Sequence, residues 1–348
     1  MTTRLVVCFD GTWDTPAANP IDPQSVESNV VRFYEAIPVG TVPDGALQKK
    51  WYDTGVGTDW YDRIRGGAFG FGLDQKIQEG YQFLAENYPD PAPEAFEIFV
   101  LGFSRGAYTA RSLVGMIRNV GLLTPVNIHR LDDAYALYRC RDASADTAEA
   151  QAFRQRYSRE VEIKFLGVWD TVGALGIPVS ALQWLDSGDY AFHDTELSGM
   201  VKNGAHALAI DEHRVDYQAT LWKRVPKLGQ NVEQRWFIGA HADVGGGYPS
   251  RLLSDITLQW MQQKAQAAGL AITPAEMPAV TAQNWAAPVS DSYHDFLGGV
   301  YALTHASFDR PIDLTSADQA MDEKVMGRCR SDANYRPKNP GFPAITAV

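Results

Sequence analysis

The sequence predicts an α/β fold, a mostly parallel sheet with helices on both faces and inserted cap segments. Three observations predict it. Short unbroken apolar runs alternate with helix-spaced segments, the pattern of strands covered on both sides. The runs close on glycine or on a polar residue. Asp10, Ser104, Asp170 and His241 all fall just past such ends, where open parallel sheets collect their function.

Leu5 to Phe9 is a buried-type strand closed by the turn Asp10-Gly11-Thr12. Glu97 to Leu101 repeats the design and runs into Gly102. From Arg105 to Asn119, Leu113, Val114, Met116 and Ile117 follow helical spacing, and Gly121 stands at the expected C-terminus. Val161 to Val168 is a third strand ending at Trp169-Asp170. The segment Gly204 to His213 reads as a helix. Arg235 to Ala240 is a fourth strand, ending at His241 and the run Gly245-Gly246-Gly247, and Ser254 to Gln263 reads as a capped helix. The whole is expected to be one domain, 1–348, with cap or wall insertions at about 122–160, 175–232 and 265–320.

Of the 348 residues, 45% are apolar and 21% charged, which excludes disorder and fibrous architectures. The excess of 42 acidic over 31 basic residues, a net charge of −11, gives no grip on a phosphate backbone, so no nucleic-acid partner is expected. Cys8, Cys140 and Cys329 are widely spaced and form no metal pattern, so neither a metal site nor a disulfide framework is expected. The apolar run near Met1 is too short for a signal peptide, and no stretch is long enough for a membrane span. The expectation is a chain cytoplasmic as synthesised, with export, if any, lacking a cleaved signal.

Gly102-Phe103-Ser104-Arg105-Gly106 fits the G-x-S-x-G nucleophile elbow of α/β-hydrolases, in its required strand-to-helix setting. The turn lifts the Ser104 hydroxyl into the cleft and aims the Arg105 N–H at a developing oxyanion, with the Gly11 or Thr12 N–H as the second donor. A serine needs a base oriented by an acid. Of seven histidines, only His241 follows an apolar strand directly within a glycine-rich loop; His206 is held in reserve. Asp170 has the right chain position for the acid, with Asp243 and Asp255 as alternatives. Asp10 is expected to shape its turn. No cofactor is required.

These segments resemble the DUF2235 family of α/β-hydrolases, which includes the Tle1-type lipase effectors of type VI secretion. The similar stretches are Phe9-Asp10-Gly11-Thr12-Trp13, Tyr52-Asp53-Thr54-Gly55, Gly102 to Ala107, Gly167-Val168-Trp169-Asp170-Thr171-Val172, Ala207 to Glu212, His241-Ala242-Asp243-Val244-Gly245-Gly246-Gly247-Tyr248 and Tyr335-Arg336-Pro337-Lys338-Asn339-Pro340. The resemblance implies an esterase or phospholipase, with Ser104, Asp170 and His241 at the family's triad motifs. For an effector it also implies a secretion apparatus or an immunity protein as partner.

The segment after Asp170 carries Leu175, Ile177 and Trp184, which read either as core packed onto the sheet or as an apolar substrate wall for lipid-like esters, with weak membrane-surface contact. Two other classes compete. One is a non-enzymatic binding module on a hydrolase scaffold. The other is a metal-dependent hydrolase using Asp10, His241 and Asp243.

Overall fold

The computed structural model describes residues 2–11, 26–53, 69–88, 95–140, 145–172, 197–222, 227–316 and 318–345. In chain order the strands are β1 (Thr3–Phe9), β2 (Gly40–Thr41), β3 (Leu47–Asp53), β4 (Phe96–Phe103), β5 (Leu122–Leu123), β6 (Ser158–Arg159), β7 (Ile163–Trp169), β8 (Asn203–Ala209), β9 (Asn231–Phe237) and β10 (Gln319–Met321). Eight of them form one sheet in the order β10-β9-β8-β7-β4-β1-β3-β2, while β5 and β6 pair separately. Among the described residues only β2 runs antiparallel in the large sheet.

From β1 the chain builds β3 on one side, then crosses to β4 on the other and continues outward. The crevice between β1 and β4 is therefore the switch point at which such sheets bind ligands. Ser104 follows β4 and Asp10 follows β1, so the sequence motifs meet there.

Side chains on each strand divide between two cores. Leu5, Val7 and Phe9 pack with Ile98 and Val100 on one face, while Val6 and Cys8 pack with Phe99, Leu101 and Phe103 on the other. All are buried, so an unbroken apolar run reads as a strand with no solvent face. Helices α1 (Asn29–Glu35), α2 (Phe69–Asn87), α3 (Arg105–Val120), α4 (Leu131–Arg139) and α5 (Ala148–Tyr157) are followed by α6 (His241–Gly245) and α7 (Leu252–Ala267). Core residues of α2, α3 and α4 cover the first face, and those of α1 and α7 the second. No helix among the described residues is long and apolar enough to cross a membrane.

Two readings are corrected. The segment expected as a helix from Gly204 is strand β8, wedged between β7 and β9. Its alanines have high helix propensity, but small residues also fit a strand enclosed on both faces, and tertiary packing decides. Consequently the stretch 175–232, expected as a wall insertion, contributes a central strand, and 265–320 includes the first residues of β10. The fourth strand is also displaced: it begins at Asn231 and ends at Phe237, leaving Ile238-Gly239-Ala240 as the approach to His241.

Candidate active site

The chain passes from β4 into α3 through one residue, Ser104, at φ 56° and ψ −121°. A non-glycine residue adopts this only under constraint from its surroundings. Close backbone approach supplies the constraint. A Cβ on Gly102 would stand 2.4 Å from the Gly106 carbonyl oxygen, and one on Gly106 would stand 2.2 Å from that of Phe9. The start of α3 is thus pressed against the ends of β4 and β1. The Ser104 N–H donates to the Trp169 carbonyl at 3.1 Å, tying the turn to β7. Arg105 opens α3, so its N–H belongs to the helix's first turn.

Asp170 follows β7 with φ 35°, the other positive-φ residue besides glycine among the described residues. Its N–H donates to the Ala207 carbonyl at 2.7 Å, and its Oδ1 accepts the Ala209 N–H at 3.0 Å. His241 is the first residue of α6. Its Nδ1 lies 2.6 Å from Asp170 Oδ2 and its Nε2 lies 2.8 Å from Ser104 Oγ. An ionised carboxylate only accepts, so Nδ1 carries the proton and bare Nε2 accepts the serine hydroxyl. Ser104 and His241 are 7% and 6% exposed and Asp170 fully buried, so the acid is sealed while the base and the serine keep a small exposed surface.

Burial would raise the Asp170 carboxyl, but the Arg310 guanidinium and the His241 ring hold it far below the usual carboxylate range. Arg310 grips Asp170 with Nη1 on Oδ1 at 2.6 Å and Nη2 on Oδ2 at 3.0 Å. Burial lowers the His241 pKa below its ordinary value, Asp170 and Glu212 opposing and Arg214 reinforcing. Glu212 accepts the His241 N–H at 3.2 Å and the Ser292 hydroxyl at 2.9 Å, and pairs with Arg214 through two bonds of 2.8 Å. Arg214 stacks over the Tyr217 ring at 3.4 Å, and Tyr217 meets the imidazole edge-on at 5.1 Å. Phe103 packs on the imidazole at 4.7 Å.

Ser104, Asp170 and His241 are therefore brought together in one hydrogen-bonded chain. The alternative acids are not. Asp243 accepts the Ala240 N–H and both the N–H and hydroxyl of Ser290, and Asp255 pairs with Arg32 at 2.6 Å. The reserve base His206 is a sealed core residue. Burial pushes its pKa down to about 3, and its Nε2 accepts the Thr171 N–H at 3.1 Å.

Asp10 shapes its turn: its carboxylate accepts Ser28 Oγ at 2.7 Å, Tyr52 OH at 2.6 Å and the Gly11 N–H at 2.7 Å. The Gly11 N–H, expected as an oxyanion donor, is thus directed at Asp10. Asp10, His241 and Asp243 are each engaged separately, and among the described residues no three His, Cys, Asp or Glu are grouped to hold a metal ion. Thr12, Leu175, Ile177 and Trp184 lie outside the described residues.

Sequence reasoning gave Arg310, Glu212 and Arg214 no role. The Glu212-x-Arg214 spacing is a local signal for a pair. Arg310 offers none, since it stands 140 residues from its partner in a mixed segment.

Residues 3–264 match the family described as "T6SS, Phospholipase effector Tle1-like, catalytic domain". The chain is 27% identical over 249 residues to the uncharacterized protein YEL023C of Saccharomyces cerevisiae, covering 65% of this chain and 33% of that protein. Among solved structures, a Tle1 effector bound to the VgrG spike of the type VI secretion system is 21% identical with a TM-score of 0.40, over 71% of this chain and 51% of that one. An uncharacterized protein from Pseudomonas aeruginosa is 19% identical with a TM-score of 0.42, over 88% and 51%. The chain thus spans a third to a half of the length of these relatives. With three quarters of its residues inside the family match, the chain belongs to the Tle1-like catalytic domains of type VI secretion phospholipase effectors.

Proposed function

We propose that the chain is a serine esterase of the lipase or phospholipase class, acting through an acyl-enzyme on Ser104. The observation that carries this reading is the Ser104–His241–Asp170 chain, 2.8 and 2.6 Å long, built on a serine in a strained turn. His241 Nε2 takes the hydroxyl proton as Oγ attacks the ester carbonyl. Asp170 keeps the imidazole in the tautomer that can do so and stabilises the imidazolium that results. The tetrahedral intermediate collapses when His241 gives that proton to the leaving alcohol, and water then repeats the sequence on the acyl group. The Arg105 N–H, at the start of α3, is the proposed oxyanion donor; such a group contributes about 3–4 kcal/mol to the transition state.

Family membership supports a phospholipid or other lipid-like ester as substrate and the type VI secretion apparatus as partner. The segment with Leu175, Ile177 and Trp184 remains the proposed acyl wall.

The test is covalent labelling with a fluorophosphonate, alongside turnover of short acyl esters. The wild type should label at Ser104. Ser104→Ala should label nowhere and lose several orders of magnitude in turnover with its melting temperature kept, and His241→Ala should lose nearly as much, because the members act as a unit. Wild-type turnover in Ser104→Ala would overturn the reading.

A further inference from the structure

We propose that Arg310 is a positioning residue of this site, one that locks the Asp170 carboxylate in the orientation His241 needs and offsets its charge. The proposal rests on the serine-hydrolase reading above and concerns a residue outside the segment, 3–264, that carries the family match.

The geometry leaves the carboxylate no freedom. Oδ1 accepts from Arg310 Nη1 and the Ala209 N–H, and Oδ2 from Arg310 Nη2 and His241 Nδ1. With four donors on two oxygens in a fork-to-fork pair, rotation of Asp170 would break several charge-assisted bonds at once. The arginine is itself pinned. It is 1% exposed, its Nη1 donates to the Ala209 carbonyl at 2.8 Å, and its Nη2 also donates to the Tyr217 carbonyl. Its own carbonyl accepts Asn339 Nδ2 at 2.9 Å, and that amide also donates to the Ile210 carbonyl at 3.1 Å. The arginine is thus fastened at the end of β8, the strand that lies between β7, which presents Asp170, and β9, which leads to His241.

The electrostatic consequence follows from what surrounds the imidazole. A lone buried aspartate would attract a proton onto the ring strongly. Here a fixed positive charge stands behind that aspartate, so the pair is neutral. On the backbone side, Glu212 faces the ring but is paired with Arg214, which cancels it in the same way. Tyr217 and Phe103 present rings, Ser104 a hydroxyl, and Asp243 on α6 is turned to Ser290. Removing Arg310 leaves a net negative charge. Whichever atom then holds the proton, the aspartate–imidazole pair takes one up more readily.

The experiment measures kcat and KM on a short acyl ester from pH 4.5 to 9 for the full chain and for Arg310→Met and Arg310→Lys. In the wild type the acid limb of kcat/KM should lie below the free-imidazole value of 6.5. Arg310→Met should raise that limb by about one to two pH units and lower kcat about tenfold or more at little change in KM. Arg310→Lys keeps the charge without the fork, so the limb should stay within about half a unit while kcat still falls. A merely structural arginine would lower stability and leave the limb of the folded fraction unmoved; an unmoved limb in Arg310→Met overturns the proposal. Should Arg310→Met not fold, an Arg310→Lys variant with wild-type kcat, or a wild-type limb above 6.5, overturns it. Fluorophosphonate labelling separates the two levels: a labelled Ser104 with an unmoved limb removes the role of Arg310 alone, and an unlabelled, inactive wild type removes the serine-hydrolase reading and this one with it.

Discussion

Asp170, Glu212, Asp10 and Asp211 are all buried near the ends of the central strands, yet their proton affinities shift in opposite directions because their partners differ. Asp170 and Glu212 each meet an arginine, and each is held below the ordinary carboxylate range despite burial. Among the described residues Asp10 bonds two hydroxyls and an amide, and Asp211 bonds the Gly239 N–H and the Tyr335 hydroxyl; burial raises both to about 6. The sign of the pH effect follows. In the folded chain Asp10 keeps its proton between about pH 4 and 6, where the unfolded chain has lost it. Its contribution is therefore favourable at low pH and is lost as pH rises through about 6. Asp10→Asn cannot ionise, so its melting temperature relative to wild type should be higher at pH 8 than at pH 4.5; an equal difference at both would refute the account. The turn-shaping role of Asp10 was legible from Asp10-Gly11-Thr12 at the end of a strand, whereas its partners Ser28 and Tyr52, 18 and 42 residues away, were not. Ser104 and His241 were legible too, since they sit in short motifs with strands before them. Arg310 was not, since a clamp on a carboxylate 140 residues away leaves no pattern around the arginine itself.

The strand-to-helix turn at Ser104 depends on two glycines that backbone, rather than flexible side chains, would obstruct. Gly106→Ala should cost about 2–4 kcal/mol and abolish hydrolysis, because the Phe9 carbonyl cannot move without disturbing the sheet. Gly327, in the helix Glu323–Ser331, is the control. Nothing lies within 4 Å of its Cβ position, so Gly327→Ala should be neutral or stabilising by up to about 1 kcal/mol. Urea titrations of both variants decide it, and a Gly106→Ala protein with wild-type stability would mean the turn is looser than its geometry states. The same physics explains which elements could be read beforehand. Strands β1, β4 and β7 are enclosed on both faces, and their apolar runs say so. Strand β8 is equally enclosed, but Gly204, Ala205, Ala207 and Ala209 make up much of it, and alanine is also the best helix former. Strand β3 carries Gln48, Lys49 and Lys50, which break its apolar run, so it left no such signal.

Taken together, the molecule carries a net charge of −11, and its proposed substrate would be presented by a surface. Approach to anionic vesicles is then opposed by a long-range field that salt screens within about 8–10 Å. Hydrolysis of anionic phospholipid vesicles should rise as salt is added, while that of zwitterionic vesicles stays flat. A fall on anionic vesicles would reveal a local basic patch that dominates the net charge. The large sheet also fixes an order in time. Ser104 reaches the ribosome exit long before its base, which lies 137 residues later, and the arginine that clamps the acid comes 140 residues after that acid. At ordinary synthesis rates each gap lasts roughly 10–30 s. Throughout that interval the nascent chain exposes a serine without a partner to activate it. On the proposed mechanism, a chain that stops between Ser104 and His241 holds the nucleophile without its base and should be unable to hydrolyse esters at more than a small fraction of the complete chain's rate.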